Sequence, residues 1–178
     1  ELDARGLRTA VMQAAREKPF LGICIGLQML FEHSAEGDVP GLGILRGQVL
    51  RFPHAALDAH GERLKVPHMG WNQVHQKNPR LEGVDTFALS PASGGKLDRG
   101  LDAPHALWQG IAQDARFYYV HSYYVQPVDT SVIQATSDYP QPFVCAVAQE
   151  NLFAVQFHPE KSHAAGLQLL QNFTQWNP

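Results

Sequence analysis

Apolar residues recur at helical spacing near both ends of the chain. The first stretch covers residues 2–18, with positions such as Leu7 on its apolar side, and Pro19 follows it. The last stretch follows Ser162, a predicted N-cap, and continues to residue 176. A repeat of three to four residues is typical of a helix that packs one face against a core. The pattern therefore predicts an opening helix and a closing helix.

Between these helices the apolar residues form shorter runs. "FLGIC" (20–24) predicts a buried strand, and "GLQMLFEHSAEG" (26–37) predicts the next helix. "ARFYYVHSYYVQP" (115–127) predicts an aromatic, β-branched strand, and "FVCAVAQENLFAVQFH" (143–158) predicts a hairpin. Helix, strand and helix alternate at the front of the chain. We therefore expect an α/β fold with a mostly parallel central sheet, flanking helices and an additional antiparallel β portion.

One segment lacks such a pattern. Residues 80–104 are rich in glycine, proline and aspartate, which predicts an inserted, irregular loop. Neither an internal repeat nor an interdomain linker is visible in the sequence. The whole chain, residues 1–178, is therefore expected to form a single domain.

The composition excludes several classes of protein. The chain is 44% hydrophobic and 17% charged with a net charge of -3, which argues against a disordered chain and a basic nucleic-acid binder. No apolar run reaches the roughly 20 residues that a membrane span needs, and no signal-peptide pattern opens the chain. We expect a soluble, cytoplasmic protein that binds neither nucleic acid nor membranes.

The remaining motif searches argue against a bound metal or cofactor. Cys24 and Cys145 lie far apart without a C-x-x-C motif, which disfavours a disulfide scaffold and a thiol zinc site. The histidines form no H-E-x-x-H motif, and "GLGILRG" does not match a phosphate-binding glycine loop. The sequence therefore predicts two free thiols, no metal and no cofactor.

Cys24 lies between the predicted strand and helix in a G-x-C-x-G motif. Gly22 and Gly26 are the small neighbours that a nucleophile elbow needs, and the helix N-terminus would favour the thiolate. The backbone N–H of Ile25 would then point at the oxyanion that forms when the thiol attacks a carbonyl carbon. A buried structural cysteine in a glycine-rich turn is an equally good interpretation of the motif alone.

A cysteine nucleophile needs a base, and the chain has nine histidines. Most lie in polar, loop-like surroundings typical of surface histidines, whereas His68 and His121 lie among strand residues as structural or substrate-contacting groups. His158 ends an apolar strand, and the proline after it keeps the backbone extended, so that His158 and Glu160 project to the same side. This arrangement predicts a triad of Cys24, His158 and Glu160 in which the glutamate orients the imidazole.

Four motifs together resemble a known family. "GICIGLQ" with "FHPEKS" is similar to the class I, triad-type glutamine amidotransferases, and "PHMGWN" with "YVHSYYV" narrows the resemblance to the glutaminase subunits of imidazole glycerol phosphate synthase. The resemblance runs from Lys18 to Phe173, apart from the loop. It implies a flavodoxin-like, three-layer fold and hydrolysis of glutamine through a thioester on Cys24. It also implies a heterodimer in which the ammonia passes to a cyclase subunit for histidine biosynthesis.

The resemblance implies roles for further residues. Gln28, His121, Ser122 and Tyr123 match positions that contact the substrate glutamine. For Gln28 the alternative is an ordinary helix-surface residue, and only the family match favours the substrate contact. The segment that would face the cyclase partner contains Lys65, Pro67, His68, Met69, Gly70, Trp71 and Asn72.

Two departures from the family pattern qualify the resemblance. Family members begin with strands and a glycine-containing loop that carries the second oxyanion donor, and we expect this chain to lack that segment. The second departure is the loop at residues 80–104, which the family usually replaces with a more direct connection. Two alternatives stay open. The first is an inactive or regulatory binding module of the amidotransferase type, and the second is the glutaminase of another pathway, such as vitamin B6 synthesis.

Overall fold

The computed structural model describes residues 4–53, 61, 63–77 and 104–178. Its helices are α1 Arg8–Glu17, α2 Ile25–Gln28 and α3 His163–Gln175, and short 3-10 helices cover Ala106–Trp108, Thr130–Val132 and Pro159–Lys161. The strands, numbered in chain order, are β1 Phe20–Ile23, β2 His33–Ser34, β3 Val39–Pro40, β4 Gly47–Arg51, β5 His68–Gln73, β6 His75–Gln76, β7 Arg116–His121, β8 Tyr123–Pro127, β9 Ile133–Asp138, β10 Pro142–Gln149 and β11 Leu152–Val155. The predicted loop at 80–104 lies, apart from its last residue, outside the described residues. None of the described helices has the length and apolar character needed to cross a membrane.

Most strands belong to one mixed sheet with the order β1, β11, β10, β8, β4, β2, β3, and β9 pairs with both β10 and β6. β1 runs parallel to β11 and β2 runs parallel to β4, whereas the other pairs in this sheet are antiparallel. The α/β class and the antiparallel portion are confirmed, but the described sheet is mixed rather than mostly parallel. The alternation of helix and strand that favours parallel pairing occurs only at the front, while later strands are joined as hairpins.

β5 and β7 form a separate antiparallel ribbon in which His68 lies opposite His121. The aromatic run predicted as one strand is therefore two strands. β7 ends at His121, Ser122 interrupts the pairing, and β8 begins at Tyr123 in the main sheet. The break at Ser122 is the place where the chain passes from the ribbon to the main sheet.

The helix predicted over residues 26–37 is much shorter than expected. Only Ile25–Gln28 are helical. The next carbonyl groups accept hydrogen bonds from a distant loop, as when Met29 O accepts from Leu42 N at 2.7 Å, so they are not available to continue the helix. The loop can approach this closely because residue 41 is a glycine. A Cβ at this position would clash with a backbone carbonyl oxygen. Tertiary contacts therefore override the local helical pattern.

β1 and β11 separate two layers of apolar packing. On one face, Phe153 and Val155 contact the cluster that includes Leu169 of α3. On the other face, Ala154 packs in the cluster that includes Leu27 of α2. Because consecutive side chains of a strand point to opposite faces, α2 and α3 lie on opposite sides of these strands. The predicted opening and closing helices are confirmed as α1 and α3.

Candidate active site

The predicted nucleophile and base lie at the carboxyl ends of two neighbouring parallel strands. Cys24 directly follows β1, and His158 lies three residues beyond the end of β11. The Cys24 N–H donates to the Val155 carbonyl at 2.8 Å, which extends the pairing of the two strands to the predicted nucleophile itself. Since the carboxyl ends of adjacent parallel strands meet at one edge of a sheet, the fold brings both residues to the same edge.

The backbone at Cys24 is strained. Its φ of 51° and ψ of -107° lie in a region that residues other than glycine rarely adopt. A Cβ on Gly22 would lie 2.9 Å from Ala154 Cβ and 2.9 Å from the Gly26 carbonyl oxygen, so only glycine fits at this position. A Cβ on Gly26 would meet nothing within 4 Å. The predicted sharp turn is present, but close packing requires only the first of its two glycines.

The Cys24 thiol is half-buried, and this burial raises its pKa above the ordinary value. Hydrogen bonds from the Ile25 N–H and from Gln156 Nε2, the latter at 3.7 Å, act in the opposite direction, while the Glu160 carboxylate adds to the increase in the pKa. The helix N-terminus favours the thiolate as expected, through the Ile25 N–H, but this contribution does not determine the direction of the overall pKa shift. α2 is only four residues long, and desolvation outweighs the donors at the sulfur. The resting group at neutral pH is a thiol, which needs a base.

His158 and Glu160 are held together as predicted. His158 Nδ1 lies 2.7 Å from Oε1 of Glu160. An ionised carboxylate only accepts hydrogen bonds, so in the neutral ring Nδ1 carries the proton and Nε2 carries the lone pair. Nε2 is buried and has no hydrogen-bond partner among the described residues. The ring nitrogen that a general base would use is thus left without a protein partner in the part of the chain that the structure describes.

The backbone of His158 is fixed to β7. Its N–H donates to the Tyr118 carbonyl at 2.9 Å, and its carbonyl accepts from the Ser162 hydroxyl at 2.6 Å. The same hydroxyl accepts from the Tyr118 N–H at 2.9 Å. Ser162 stands at the N-cap of α3, as predicted, but its side chain makes no capping hydrogen bond. The hydroxyl instead links the His158 backbone to Tyr118, a contact that the sequence pattern does not reveal.

Gln28 is only 5% exposed and is therefore not a helix-surface residue. Its Nε2 donates to the Tyr123 carbonyl at 3.2 Å and to Gln156 Oε1 at 3.1 Å. Both N–H groups of its amide are thus used inside the protein, which leaves Oε1 to accept a hydrogen bond from a ligand. Two residues predicted to contact the substrate, Gln28 and Tyr123, lie side by side.

His121 and His68 form a buried pair, 5% and 4% exposed. His121 Nδ1 donates to the Tyr123 carbonyl at 2.7 Å, so its Nε2 accepts from His68 Nδ1 at 3.0 Å. His68 Nε2 then accepts from Asn72 Nδ2 at 3.4 Å. Burial lowers the pKa of His68 to about 3 and that of His121 to about 4, so both rings are neutral at pH 7. Since protein groups occupy both ring nitrogens of His121, neither nitrogen is left to bind a substrate. The side chain instead holds the Tyr123 carbonyl.

Ser122 and Tyr123, the remaining predicted substrate contacts, are half-buried. The Ser122 carbonyl accepts from the Phe52 N–H at 3.0 Å, and the Arg51 guanidinium lies 5.9 Å from the centre of the Tyr123 ring. The Tyr123 carbonyl likewise accepts from His121 and Gln28, so the backbone groups that a ligand could use at this break between strands are the N–H groups. Contact of these two residues with a substrate stays a prediction.

The segment predicted to face a partner is exposed on one side only. Met69 is 62% exposed and Trp71 is 37% exposed, whereas His68 is buried. The other members are Lys65 and Pro67, which are exposed, and Gly70 and Asn72, which are half-buried. Alternate residues of a strand point to opposite faces, so the His68 side chain faces the interior rather than a partner.

Gln156 is a candidate that the sequence reasoning missed. Its side chain is fully buried, and its amide bonds both the Cys24 sulfur and Gln28. The sequence does carry a signal, because Gln156 is the one amide in the apolar run "LFAVQF" at residues 152–157, all of which are buried. A buried amide in such a run needs hydrogen-bond partners, and here those partners are the nucleophile and a predicted substrate contact.

Both cysteines are free thiols, as predicted. Within the described ranges, no group of three or more His, Cys, Asp or Glu side chains is arranged to hold a metal ion. The reactive groups that the strand ends bring together are a thiol, an imidazole, a carboxylate and the Ile25 N–H.

Comparisons with known proteins identify the family of the chain. The family model described as glutamine amidotransferase class-I matches residues 3–176. Imidazole glycerol phosphate synthase subunit HisH of Dechloromonas aromatica is 55% identical over 179 residues, which cover 100% of this chain and 71% of that protein. The protein of the same name from Thiobacillus denitrificans is 56% identical over 179 residues, covering 100% of this chain and 68% of that protein. The chain thus spans about 70% of the length of these relatives.

A solved structure of a glutamine amidotransferase has the same fold. Its TM-score is 0.55 at 16% sequence identity, and the match covers 97% of this chain and 71% of that chain. Identity this low supports the fold alone, whereas the family model and the bacterial relatives cover nearly the whole chain. The chain therefore belongs to the class I glutamine amidotransferases and, among them, to the family of the imidazole glycerol phosphate synthase subunit HisH.

Proposed function

We propose that this chain hydrolyses glutamine to glutamate and ammonia, with Cys24 as the nucleophile. One observation carries the proposal. A thiol in a strained turn shares a sheet edge with His158, whose Nε2 is unpaired among the described residues while Glu160 holds its Nδ1 at 2.7 Å. Nucleophilic catalysis by a cysteine requires a base with an available nitrogen, and His158 offers one at the sheet edge where the thiol lies. Membership of the amidotransferase family supports the same reaction.

The first half-reaction releases ammonia. His158 Nε2 accepts the thiol proton while the Cys24 sulfur attacks the carbon of the substrate's side-chain amide, which forms the C–S bond and moves an electron pair onto the carbonyl oxygen. When that pair returns, the C–N bond breaks and His158 gives its proton to the leaving nitrogen. Ammonia departs and a thioester remains. Glu160 stabilises the imidazolium that exists between the two proton transfers.

The second half-reaction releases glutamate. His158 accepts a proton from water, the water oxygen attacks the thioester carbon, and the C–S bond breaks as the proton returns to the Cys24 sulfur. Negative charge develops on the carbonyl oxygen in both half-reactions. The Ile25 N–H, which donates toward the sulfur in the resting site, is the backbone group that we assign as a donor to this oxyanion.

The substrate is held by groups on α2 and at the start of β8. Gln28 offers only its Oε1, because its amide hydrogens are used by Tyr123 and Gln156, so we assign it to accept from the ammonium group of glutamine. We assign the backbone N–H groups of Ser122 and Tyr123 to the carboxylate beside that ammonium group, because both carbonyls already accept from protein donors. His121 Nδ1 donates to the Tyr123 carbonyl and so holds it in place.

The ammonia passes to a cyclase subunit in this proposal. The two relatives are named as a subunit of imidazole glycerol phosphate synthase, and we assign the same heterodimer and the same role in histidine biosynthesis to this chain. Lys65, Pro67, Met69 and Trp71 form the exposed face that meets the partner. We place the complex in the cytoplasm, where free thiols such as Cys24 stay reduced.

The test measures glutamate and ammonia release from glutamine by the chain alone and with the cyclase subunit plus its nucleotide ligand. Release that increases when the partner is added supports the proposal, and Cys24→Ala serves as the inactive control. Release without any response to this partner would favour the glutaminase of another pathway. Binding of the cyclase by a folded chain that releases nothing would favour a regulatory module.

A further inference from the structure

Gln156 connects the nucleophile with the substrate-binding side chain. Its Nε2 donates to the Cys24 sulfur at 3.7 Å, and its Oε1 accepts from Gln28 Nε2 at 3.1 Å. The side chain is 0% exposed, and its own backbone N–H donates to the Cys145 carbonyl at 2.8 Å. The backbone of Gln156 is therefore fixed to β10, while its side-chain amide extends toward Cys24 and Gln28.

We propose that Gln156 is a positioning residue that stabilises the reacting sulfur of Cys24 and fixes the amide of Gln28. The inference rests on the proposed glutaminase activity but concerns a residue outside the triad. Gln156 lies two residues before His158, so one short segment carries both the proposed base and the donor to the sulfur.

The amide orientation follows from its two partners. Gln28 Nε2 can only donate, so the atom of Gln156 that meets it must be the oxygen, and the nitrogen must point to Cys24. An N–H donor favours a thiolate over a thiol, since a hydrogen bond to the charged form stabilises that form. The same bond orients the sulfur while it carries negative charge, before it attacks and again as it leaves the thioester.

Gln28 depends on the same amide. With Gln156 and Tyr123 accepting its two hydrogens, Gln28 is held with Oε1 directed away from both. Removing the Gln156 oxygen leaves one of these hydrogens without an acceptor in a buried site, which allows the Gln28 amide to rotate. Gln156 therefore acts on the chemistry through the sulfur and on substrate binding through Gln28.

The experiment follows the rate at which iodoacetamide alkylates Cys24 across pH in Gln156→Met and Gln156→Glu. Mass spectrometry of the Cys24 peptide separates this label from Cys145, which is fully buried. Ser137→Ala is the matched control. Ser137 is equally buried, but its hydroxyl donates to the Gln73 carbonyl, at 2.6 Å, rather than to Cys24 or Gln28. Alkylation needs no glutamine, so it reports on Gln156 even if the chain proves not to be a glutaminase.

We expect the alkylation midpoint to move to higher pH in both variants, with the rate at pH 7 falling roughly threefold to tenfold and the plateau at high pH unchanged. Gln156→Glu shifts the midpoint further, because it replaces the donor with a negative charge. In turnover assays, Gln156→Met lowers kcat and raises KM, whereas Gln156→Glu, which keeps an acceptor for Gln28, changes mainly kcat.

Two results would overturn the proposal. An alkylation profile identical to that of the parent would show that the amide does not act on the sulfur. A faster alkylation rate at every pH, together with the same change in Ser137→Ala, would show that the variants merely loosen the packing and expose the thiol. Circular dichroism and chemical unfolding of each variant establish that the compared chains are folded.

Discussion

The two cysteines occupy opposite kinds of position in the same sheet. Cys24 follows the last residue of β1 with a φ of 51°, half-buried at the sheet edge. Cys145 lies within β10, fully buried in the main apolar cluster, where two residues of β10 oppose one of β9 in a bulge. The Cys24 thiol is partly exposed, whereas the Cys145 thiol is packed within the apolar cluster.

Burial raises the pKa of both thiols, so desolvation alone does not distinguish a nucleophile from a core residue. The pKa of Cys145 rises to about 12. Cys24 differs because the Ile25 N–H and Gln156 Nε2 donate toward its sulfur. In addition, an imidazole nitrogen without a partner among the described residues lies at the same edge of the sheet. The comparison teaches that local donors and an available base, rather than a low resting pKa, mark the reactive cysteine.

The strongest test of this comparison replaces each thiol in turn. We expect Cys24→Ala to lower glutamine hydrolysis by at least about 10⁴-fold, because no thioester can form. Binding to the cyclase subunit, measured by calorimetry, should be unchanged, since the substitution removes only the sulfur of a half-buried side chain. Cys145→Ala is the matched control. If Cys24→Ala still released ammonia at the parent rate, the nucleophile would have to be assigned elsewhere.

Glu160→Gln tests whether the base near Cys24 depends on its carboxylate. The amide keeps the size of the side chain but can donate to His158 Nδ1, which would place the imidazole proton on Nε2 and remove the base. We expect kcat to fall by about 10²- to 10³-fold with little change in KM, measured by coupled glutamate detection. Glu150→Gln, an exposed change at the β10–β11 turn, should have no effect. Equal activity in both variants would contradict the triad.

Ser162→Ala tests the backbone support of the base. Its hydroxyl bonds both the Tyr118 N–H and the His158 carbonyl. Loss of these bonds should lower kcat by about tenfold and the free energy of unfolding by roughly 1–2 kcal/mol. Denaturant unfolding and steady-state kinetics measure the two effects. A loss of stability without any loss of kcat would mean that the hydroxyl only holds α3 in place.

The smallest effect is expected at Cys145, and it concerns stability alone. The folded thiol keeps its proton up to a pKa of about 12, whereas the unfolded thiol loses it near the ordinary value of 9.0. Between these values only the unfolded state has released its proton, so stability falls as pH rises, by up to about 1.4 kcal/mol per pH unit. Cys145→Ala should flatten this alkaline decline while leaving glutamine hydrolysis at neutral pH unchanged. Denaturant unfolding at pH 8 and at about pH 10 measures it, and parallel declines in parent and variant would disprove it.

The sequence predicts those parts of the site that depend on local chain geometry. A glycine two residues before Cys24 and an apolar run ahead of it are enough to suggest a strained turn, and the structure has that turn. His158 and Glu160 are two residues apart on extended backbone, so their contact also follows from a local pattern. Motif resemblance then supplies the family, which the comparisons with known proteins confirm.

What the sequence does not predict depends on contacts between distant segments. The partners of Gln156 are 132 and 128 residues away along the chain, and His68 is 53 residues from His121. The helix expected after Cys24 ends early because the carbonyls after it accept hydrogen bonds from a later loop, and no local pattern predicts these contacts. In each case the side chain or carbonyl group is ordinary, and only the fold provides its partner.

The hydrogen bond between the Cys24 N–H and the Val155 carbonyl has a mechanical consequence. It ties the nucleophile to the strand that leads to His158, and β10 braces that strand from its other side. Sliding Cys24 along the strand that leads to His158 would break hydrogen bonds of a ladder that is paired on both sides, so the fold resists this movement. Any on–off control of this enzyme must therefore use softer degrees of freedom, such as the rotation of a peptide plane or a side-chain amide.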